Sequence, residues 1–223
     1  MSEHSKLTRR GLFRGVGTAA LVSGCVKRTG TDEPGAAAVV SDTTAPAQIG
    51  PDPVPLRLTL NGQSQEVSVE PRTTLLQALR IDLDTTGPKV VCDRGSCSAC
   101  LVLVDGLPRN SCMMLAHDVA GREVTTVEGL SQGEELSALQ AAFVRHDALQ
   151  CGFCTSGMLV SCAALLRRHP RGQALTAEAV QDAISGNLCR CGTYPHVVAA
   201  VLDAADQTAR QAAGNAIDGK AGA

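Results

Sequence analysis

Ten cysteines in a chain of 223 residues are the side chains whose spacing most directly implies chemistry. One group contains Cys92, Cys97, Cys100 and Cys112, with four, two and 11 residues between successive thiols. Thiolates are soft ligands, and a loop that turns sharply can place several of them on one side. Gly95 allows such a turn, because glycine tolerates positive φ. The group therefore predicts a metal or cluster site.

Three kinds of structure fit four cysteines: an iron–sulfur cluster, a structural zinc ion or a pair of disulfides. The first three cysteines have the spacing by which plant-type ferredoxins hold a [2Fe–2S] cluster. Zinc sites usually come as two CxxC pairs, and only Cys97 and Cys100 have that spacing in this group. The spacing favours the cluster.

A second group pairs Cys151 with Cys154 and Cys189 with Cys191, and 34 residues separate the two pairs. Two thiolates on each of two loops are enough for a second site of four thiolates. The single residue between Cys189 and Cys191 is unusual for zinc, although this pattern alone leaves zinc open. We expect Cys162, on an apolar helix face, to be a packed thiol rather than a ligand.

The elements around these groups predict an α+β fold. Alternating leucines over 56–60, the hairpin signal Asn61-Gly62, a helix over 74–81 and strands over 101–104 and 123–127 suit a β-grasp ferredoxin domain at 54–130. An all-α domain of four helices is predicted at 131–212, followed by a disordered tail at 213–223. The first helix is indicated by an apolar face of Leu136, Leu139, Ala142 and Phe143. The other three are predicted over 158–168, 176–185 and 196–212.

Residues 1–53 are predicted to be an export signal and a disordered tether. Thr8-Arg9-Arg10-Gly11-Leu12-Phe13-Arg14 resembles the twin-arginine motif, and the apolar stretch over 15–24 is too short to span a bilayer. That route carries folded proteins, so we expect a periplasmic protein that receives its clusters before export. Cys25 ends a stretch that resembles a lipoprotein cleavage box, while cleavage near Ala36 is the alternative.

Composition excludes several function classes. The net charge is −2, and one Tyr, three Phe and no Trp leave almost nothing to stack on bases, so nucleic acid is not an expected partner. No nucleophile–base pair, phosphate loop or nicotinamide fingerprint is present. We therefore expect no catalytic residue in this chain.

Two stretches carry a specific resemblance. Gln150-Cys-Gly-Phe-Cys-Thr-Ser-Gly-Met158 and Gly186-Asn-Leu-Cys-Arg-Cys191, behind a ferredoxin-type loop, resemble the small two-cluster subunit of the xanthine dehydrogenase/aldehyde oxidoreductase family. The similarity spans roughly residues 54–210. The sequence departs from the family pattern at Ser98, where Gly is frequent, at Ser156, where Pro is usual, and at Gly192-Thr193, whose order is reversed. We expect Ser98 to cost little if its φ stays negative.

The resemblance implies a function in electron transfer. Members hydroxylate aldehydes or N-heterocycles at a molybdenum–pterin centre on a separate large subunit, and the small subunit passes the electrons through two [2Fe–2S] clusters. A cluster on Cys151, Cys154, Cys189 and Cys191 would lie nearest a molybdopterin of the cytosine dinucleotide type. A cluster on Cys92, Cys97, Cys100 and Cys112 would lie nearer the exit acceptor, a flavin subunit or a cytochrome.

Two further roles follow from the resemblance alone. Gln150 matches the residue that hydrogen-bonds the pterin in the family, and Cys191 would link the second cluster to the pterin. The alternatives are a free-standing two-cluster electron carrier and a zinc-stabilised structural adaptor. Neither alternative requires a large subunit.

Overall fold

The computed structural model describes residues 50–131, 133, 135–170 and 173–218. These residues belong to one compact unit, Ala47–Ala223. The predicted twin-arginine motif and the predicted lipidation site at Cys25 lie outside the described residues. No helix in the described ranges combines the length and apolarity that crossing a membrane requires.

In the first half of the described chain, five strands form one mixed sheet. The strands are β1 (Val54–Leu60), β2 (Gln63–Val69), β3 (Leu101–Val104), β4 (Leu107–Asn110) and β5 (Glu123–Thr125). Their order is β2-β1-β5-β3-β4, with β1 and β5 parallel and the other neighbours antiparallel. The predicted mixed α+β class is therefore confirmed.

The hairpin between β1 and β2 has the predicted turn. Asn61 and Gly62 adopt φ values of 50° and 80°, which is the geometry that the right-handed twist of two adjoining strands favours. Leu56, Leu58 and Leu60 are buried, as their alternation predicts. Strand β4 was not predicted, because its sequence contains Pro108 and shows no hydrophobic alternation. It lies at the edge of the sheet, where proline is tolerated.

The helix predicted over 74–81 forms in two parts. Helix α1 (Leu75–Gln77) begins at a capping box between Thr74 and Gln77, and the chain continues as a π-helical turn over Ala78–Asp82. Leu75, Leu76 and Leu79 are buried. Leu75 and Leu79 share a core cluster with side chains of β1, β3 and β5, so this segment packs against the sheet.

Four helices follow in the second half of the described chain: α2 (Ala138–Arg145), α3 (Thr155–Arg168), α4 (Ala177–Ile184) and α5 (Tyr194–Asp218). The prediction for Leu136 is wrong, because a capping box of Ser137 and Gln140 starts α2 after it and leaves Leu136 55% exposed. Helix α5 begins before His196 and continues past Ala212, since Ala- and Gln-rich sequence favours helix.

A small apolar cluster joins the sheet to the helices. Leu101 and Leu103 of β3 pack against Val160 and Ala164 of α3. Cys100 directly precedes β3, and Cys154 directly precedes α3. The two cysteine loops are therefore carried by elements that pack against each other.

Candidate iron–sulfur sites

The first site is a loop between the π-helical turn and β3, closed by the segment after β4. Cys97, Cys100 and Cys112 are buried and Cys92 is half-buried. The pKa values of these thiols are influenced mainly within two pairs, Cys92 by Cys97 and Cys112 by Cys100, and Cys92 also acts on Cys112. Cys100 and Cys112 also pack on Leu76 of α1. The sequence prediction therefore names four thiols that the fold brings to one place.

Backbone groups of this loop point at the sulfurs. Gly95 N–H donates to Cys112 Sγ at 3.3 Å, and the Asn110 side-chain amide donates to Gly95 O at 3.3 Å. Gly95 has φ +74°, and an added Cβ would lie 2.9 Å from Met113 Cγ. The positive φ of this turn favours glycine, whereas the flexible and exposed Met113 side chain could move aside. Such N–H donors stabilise the negative charge of bound thiolates.

The two thiol pairs of this loop have different electrostatic surroundings. The N–H of Arg94, followed by contact with the Cys97 thiol, lowers the pKa of Cys92 to about 7. Burial, followed by contact with the Cys100 thiol, raises the pKa of Cys112 to about 11. The Cys92 thiol therefore ionises more readily than the Cys112 thiol.

The second site joins the start of α3 to the loop between α4 and α5. The pKa values of its thiols are also influenced mainly within two pairs, Cys154 by Cys189 and Cys191 by Cys151, with weaker effects of Cys151 on Cys154 and of Cys189 on Cys191. Cys154 is buried and Cys189 is half-buried, whereas Cys151 and Cys191 are exposed. One pair therefore faces the interior and the other faces the surface. Gln150 is exposed beside the surface pair.

The reversed Gly192-Thr193 order places a donor next to a ligand. Gly192 has φ +80°, and the hydroxyl of the buried Thr193 lies 3.3 Å from Cys189 Sγ. Burial alone would raise the pKa of Cys189, but hydrogen bonds from the Thr193 hydroxyl and N–H lower it to about 7. In this chain, the residue after Gly192 therefore contributes a hydrogen-bond contact to the Cys189 sulfur.

The pairing of the thiols fits [2Fe–2S] clusters better than zinc. A [2Fe–2S] cluster has two irons joined by two sulfides, and each iron takes two thiolates, so its protein ligands form two pairs. Thr155 Oγ1, directly after Cys154, is buried without a partner among the described protein atoms and adds a free donor at the second site.

Hydrogen bonds join the two cysteine loops. Leu188 N–H donates to the Cys97 carbonyl at 3.1 Å, and the Ser156 hydroxyl donates to Ala99 O at 3.3 Å. A Cβ at Gly157 would overlap the Ser98 carbonyl oxygen, so the first turn of α3 approaches the first loop as closely as glycine allows. Ser156, the second departure from the family pattern, therefore has a partner in the other loop.

The expectation for Ser98 is wrong. Its φ is +56°, in the left-handed region, where a residue other than glycine costs free energy. This left-handed residue lies between Cys97 and Cys100, and both of these cysteines must face the cluster site. The Ser98 carbonyl accepts Leu101 N–H at 3.3 Å and the Asn187 side-chain amide at 3.5 Å. These contacts hold the strained residue in place.

Sequence reasoning missed the residues around Leu188. Asn187 is buried, and its Oδ1 accepts the Ser161 hydroxyl at 2.8 Å. Tyr194, the only tyrosine of the chain, donates its hydroxyl to Asn187 O at 2.9 Å and accepts Cys189 N–H at 2.8 Å. The sequence feature that could have indicated these contacts is the single tyrosine shortly after the C-x-C pair. Cys162 is fully buried in the helical core, where we expected a packed thiol.

Comparisons with known proteins agree with this geometry. The family model of the 2Fe-2S iron–sulfur cluster binding domain matches residues 58–131, and that of the [2Fe-2S] binding domain matches residues 126–202. A ferredoxin-type domain is thus followed by a helical cluster-binding domain, as the sequence predicts. The expectation of two [2Fe–2S] clusters is confirmed at the level of the two domains.

Three relatives illustrate the similarity. The aldehyde oxidoreductase iron–sulfur-binding subunit PaoA of Escherichia coli O157:H7 is 43% identical over 169 residues, which are 70% of this chain and 74% of that protein. The nicotine 6-hydroxylase small subunit of Paenarthrobacter nicotinovorans is 49% identical over 156 residues, 70% of this chain and 92% of that protein. A chain in the crystal structure of quinoline 2-oxidoreductase from Pseudomonas putida 86 has a TM-score of 0.66 and 43% identity, covering 72% of this chain and 98% of that chain.

Proposed function

The chain belongs to the small iron–sulfur subunits of the xanthine dehydrogenase/aldehyde oxidoreductase family of molybdenum hydroxylases, and we propose that it carries electrons within such a complex. The observation that carries the proposal is the pair of four-thiol sites joined by the hydrogen bond from Leu188 N–H to the Cys97 carbonyl. Each [2Fe–2S] cluster, when bound, accepts and returns one electron. The chain supplies ligands, N–H donors and a fixed separation.

The thiol pairs support one assignment of ligands. Cys92 with Cys97 and Cys100 with Cys112 would each complete one iron of the first cluster. Cys151 with Cys191 and Cys154 with Cys189 would do the same for the second. All eight ligands are those that the spacing predicts.

The exposed edge of the second site suits a docked partner. Cys151 and Cys191 are exposed, and Leu149, Phe153 and Leu188 place apolar side chains on the surface next to these loops in sequence. Exposed apolar groups beside an exposed ligand pair favour burial under another subunit. The partner is a large molybdopterin-binding subunit, toward which Gln150 would donate a hydrogen bond and Cys191 would provide the link.

Electrons would leave at the first site. Cys92 is the most exposed of its four thiols, and the exposed Val90, Val91 and Met113 are its neighbours in sequence or in the loop. This edge suits a flavin subunit or a cytochrome. Substrate oxidation would occur on the large subunit, in keeping with the absence of catalytic motifs from this sequence.

The location of the complex is a separate proposal. The motif around Arg9 and Arg10 supports export of the folded complex to the periplasm, with Cys25 as a possible site of lipid attachment. Changing both Arg9→Lys and Arg10→Lys should leave the activity in the cytoplasm. Unchanged activity in the periplasmic fraction would contradict this part of the proposal.

The complex itself can be tested by purification of a tagged chain from its own cell extract, followed by metal analysis. The proposal predicts a complex that contains molybdenum and four irons per copy of this chain. A monomer with four irons would instead support the free-standing carrier, and zinc in place of iron would support the structural adaptor.

A further inference from the structure

The hydrogen bond from Leu188 N–H to the Cys97 carbonyl links the two sites. Cys97 is a ligand of the first site, and Leu188 directly precedes a ligand of the second. No described contact of this kind is shorter. Leu188 is covalently joined to Cys189, and the carbonyl belongs to Cys97 itself. A path from one sulfur to the other therefore needs only this 3.1 Å contact and the bonds of three residues. Electronic coupling falls steeply with distance through space, so alignment of this contact matters.

Leu188 cannot align its own N–H by side-chain packing, because 58% of the residue is exposed. Its two neighbours are held instead. The Tyr194 hydroxyl accepts Cys189 N–H at 2.8 Å and donates to Asn187 O at 2.9 Å, so a single oxygen bonds the residue on each side of Leu188. Both lengths are those of well-formed hydrogen bonds.

Asn187 is fixed from the opposite direction. Its side chain is buried and accepts the Ser161 hydroxyl at 2.8 Å, and its own N–H donates to Ile184 O at 2.8 Å. The ring of Tyr194 packs on the helical core at the start of α5. The turn that carries Leu188 is thus tied to α3, α4 and α5.

We propose that the Tyr194 hydroxyl is a positioning group for electron transfer between the two clusters, because it aligns Leu188 N–H with the Cys97 carbonyl. The inference rests on the proposed function. When both clusters are bound, the one held by Cys151, Cys154, Cys189 and Cys191 would give up one electron to the one held by Cys92, Cys97, Cys100 and Cys112. No proton is transferred, and Tyr194 itself is neither oxidised nor reduced.

The test compares the parent chain with Tyr194→Phe, both in full length and loaded with both clusters. Flash photoreduction delivers less than one electron per chain, and freeze-quench EPR follows the redistribution of that electron between the two cluster signals. Loss of these two hydrogen bonds should slow the redistribution on the order of tenfold, because Leu188 N–H would no longer be held against the Cys97 carbonyl. Iron content and the final distribution between the clusters should be unchanged.

Two further variants separate positioning from general damage. Ser185→Ala removes a hydroxyl whose described partner is Asp182 O, at the end of α4, and should leave the rate unchanged. Ser161→Ala loosens Asn187 without touching Tyr194 and should slow the redistribution in the same direction. Hydrogen–deuterium exchange should show faster exchange over 187–189 in Tyr194→Phe than in the parent.

The outcomes are distinguishable. A parent chain that binds fewer than two clusters, or shows no redistribution, contradicts the proposed function. A parent that redistributes the electron, together with a loaded Tyr194→Phe variant of equal rate, overturns the positioning role of Tyr194. If Tyr194→Phe fails to load both clusters, the rate in Ser161→Ala decides: an unchanged rate overturns the inference.

Discussion

The close approach of α3 to the first cysteine loop can be tested by one methyl group. In Gly157→Ala, the added Cβ would overlap the Ser98 carbonyl oxygen and lie 3.2 Å from Ala99 Cα. Both neighbours are backbone atoms of a loop that cannot rotate away, so the start of the helix must move. The substitution should therefore destabilise the fold.

The size of the effect follows from two opposing contributions. Overpacking against rigid neighbours costs up to about 3 kcal/mol. Alanine is favoured over glycine inside a helix by about 1 kcal/mol. The net loss of unfolding free energy should be about 2 kcal/mol, or about 4–8 °C in Tm for a unit of this size. Urea unfolding of the cluster-loaded protein, followed by circular dichroism, measures it.

A matched control comes from a second glycine near the same loop. A Cβ at Gly186 would lie 3.6 Å from Ser98 Oγ, which is an ordinary contact. Gly186→Ala should therefore change the urea midpoint much less than Gly157→Ala. Equal midpoints for the two variants would refute the claim that the helix approaches the loop at the limit set by glycine.

Three further predictions concern the helical half. Ser137→Ala removes the cap of α2 and should cost about 1 kcal/mol of unfolding free energy, measured by urea denaturation; a neutral result would show that the cap is dispensable. Arg145, followed by His146, lowers the pKa of Asp203 to about 2. Because this pKa is depressed, the stabilisation is present above the ordinary Asp pKa of about 4 and is lost as the pH falls through about 2. The midpoint difference between parent and Asp203→Asn should therefore shrink over that range, and a constant difference would contradict the ion-pair explanation. Cys162→Ala should leave the iron content unchanged while lowering Tm, whereas loss of iron would mean that this buried thiol is a ligand.

The cysteine sites were predictable because their information is local. Ligand spacing within each loop is visible in neighbouring residues, and the β1–β2 hairpin follows from the alternation of its strands and a strong turn signal. A shared site for the two loops that lie 34 residues apart was also expected, since each loop alone offers only two thiols. What the spacing did not indicate was which thiol contacts which.

Two of the errors concern conditions of the folded chain that hydrophobic periodicity cannot express, and one concerns a helix cap that periodicity does not take into account. Ser98 adopts positive φ because two ligands on either side of it must face one way, a condition of the folded loop rather than of serine. Leu136 continues the helical pattern but stands before the Ser137 cap. The contact between Leu188 and Cys97 joins residues far apart in the chain, so sequence periodicity carried no trace of it.

The central claim is that one compact unit holds two separate thiol sites. Low-temperature EPR of the dithionite-reduced protein, with an iron and zinc count, tests this claim most directly. We predict two distinguishable [2Fe–2S] signals, one lost in Cys151→Ser and the other in Cys97→Ser. Loss of both signals in each variant would show that the sites do not form independently. A single signal in the parent protein, or bound zinc without iron, would contradict the two-cluster account.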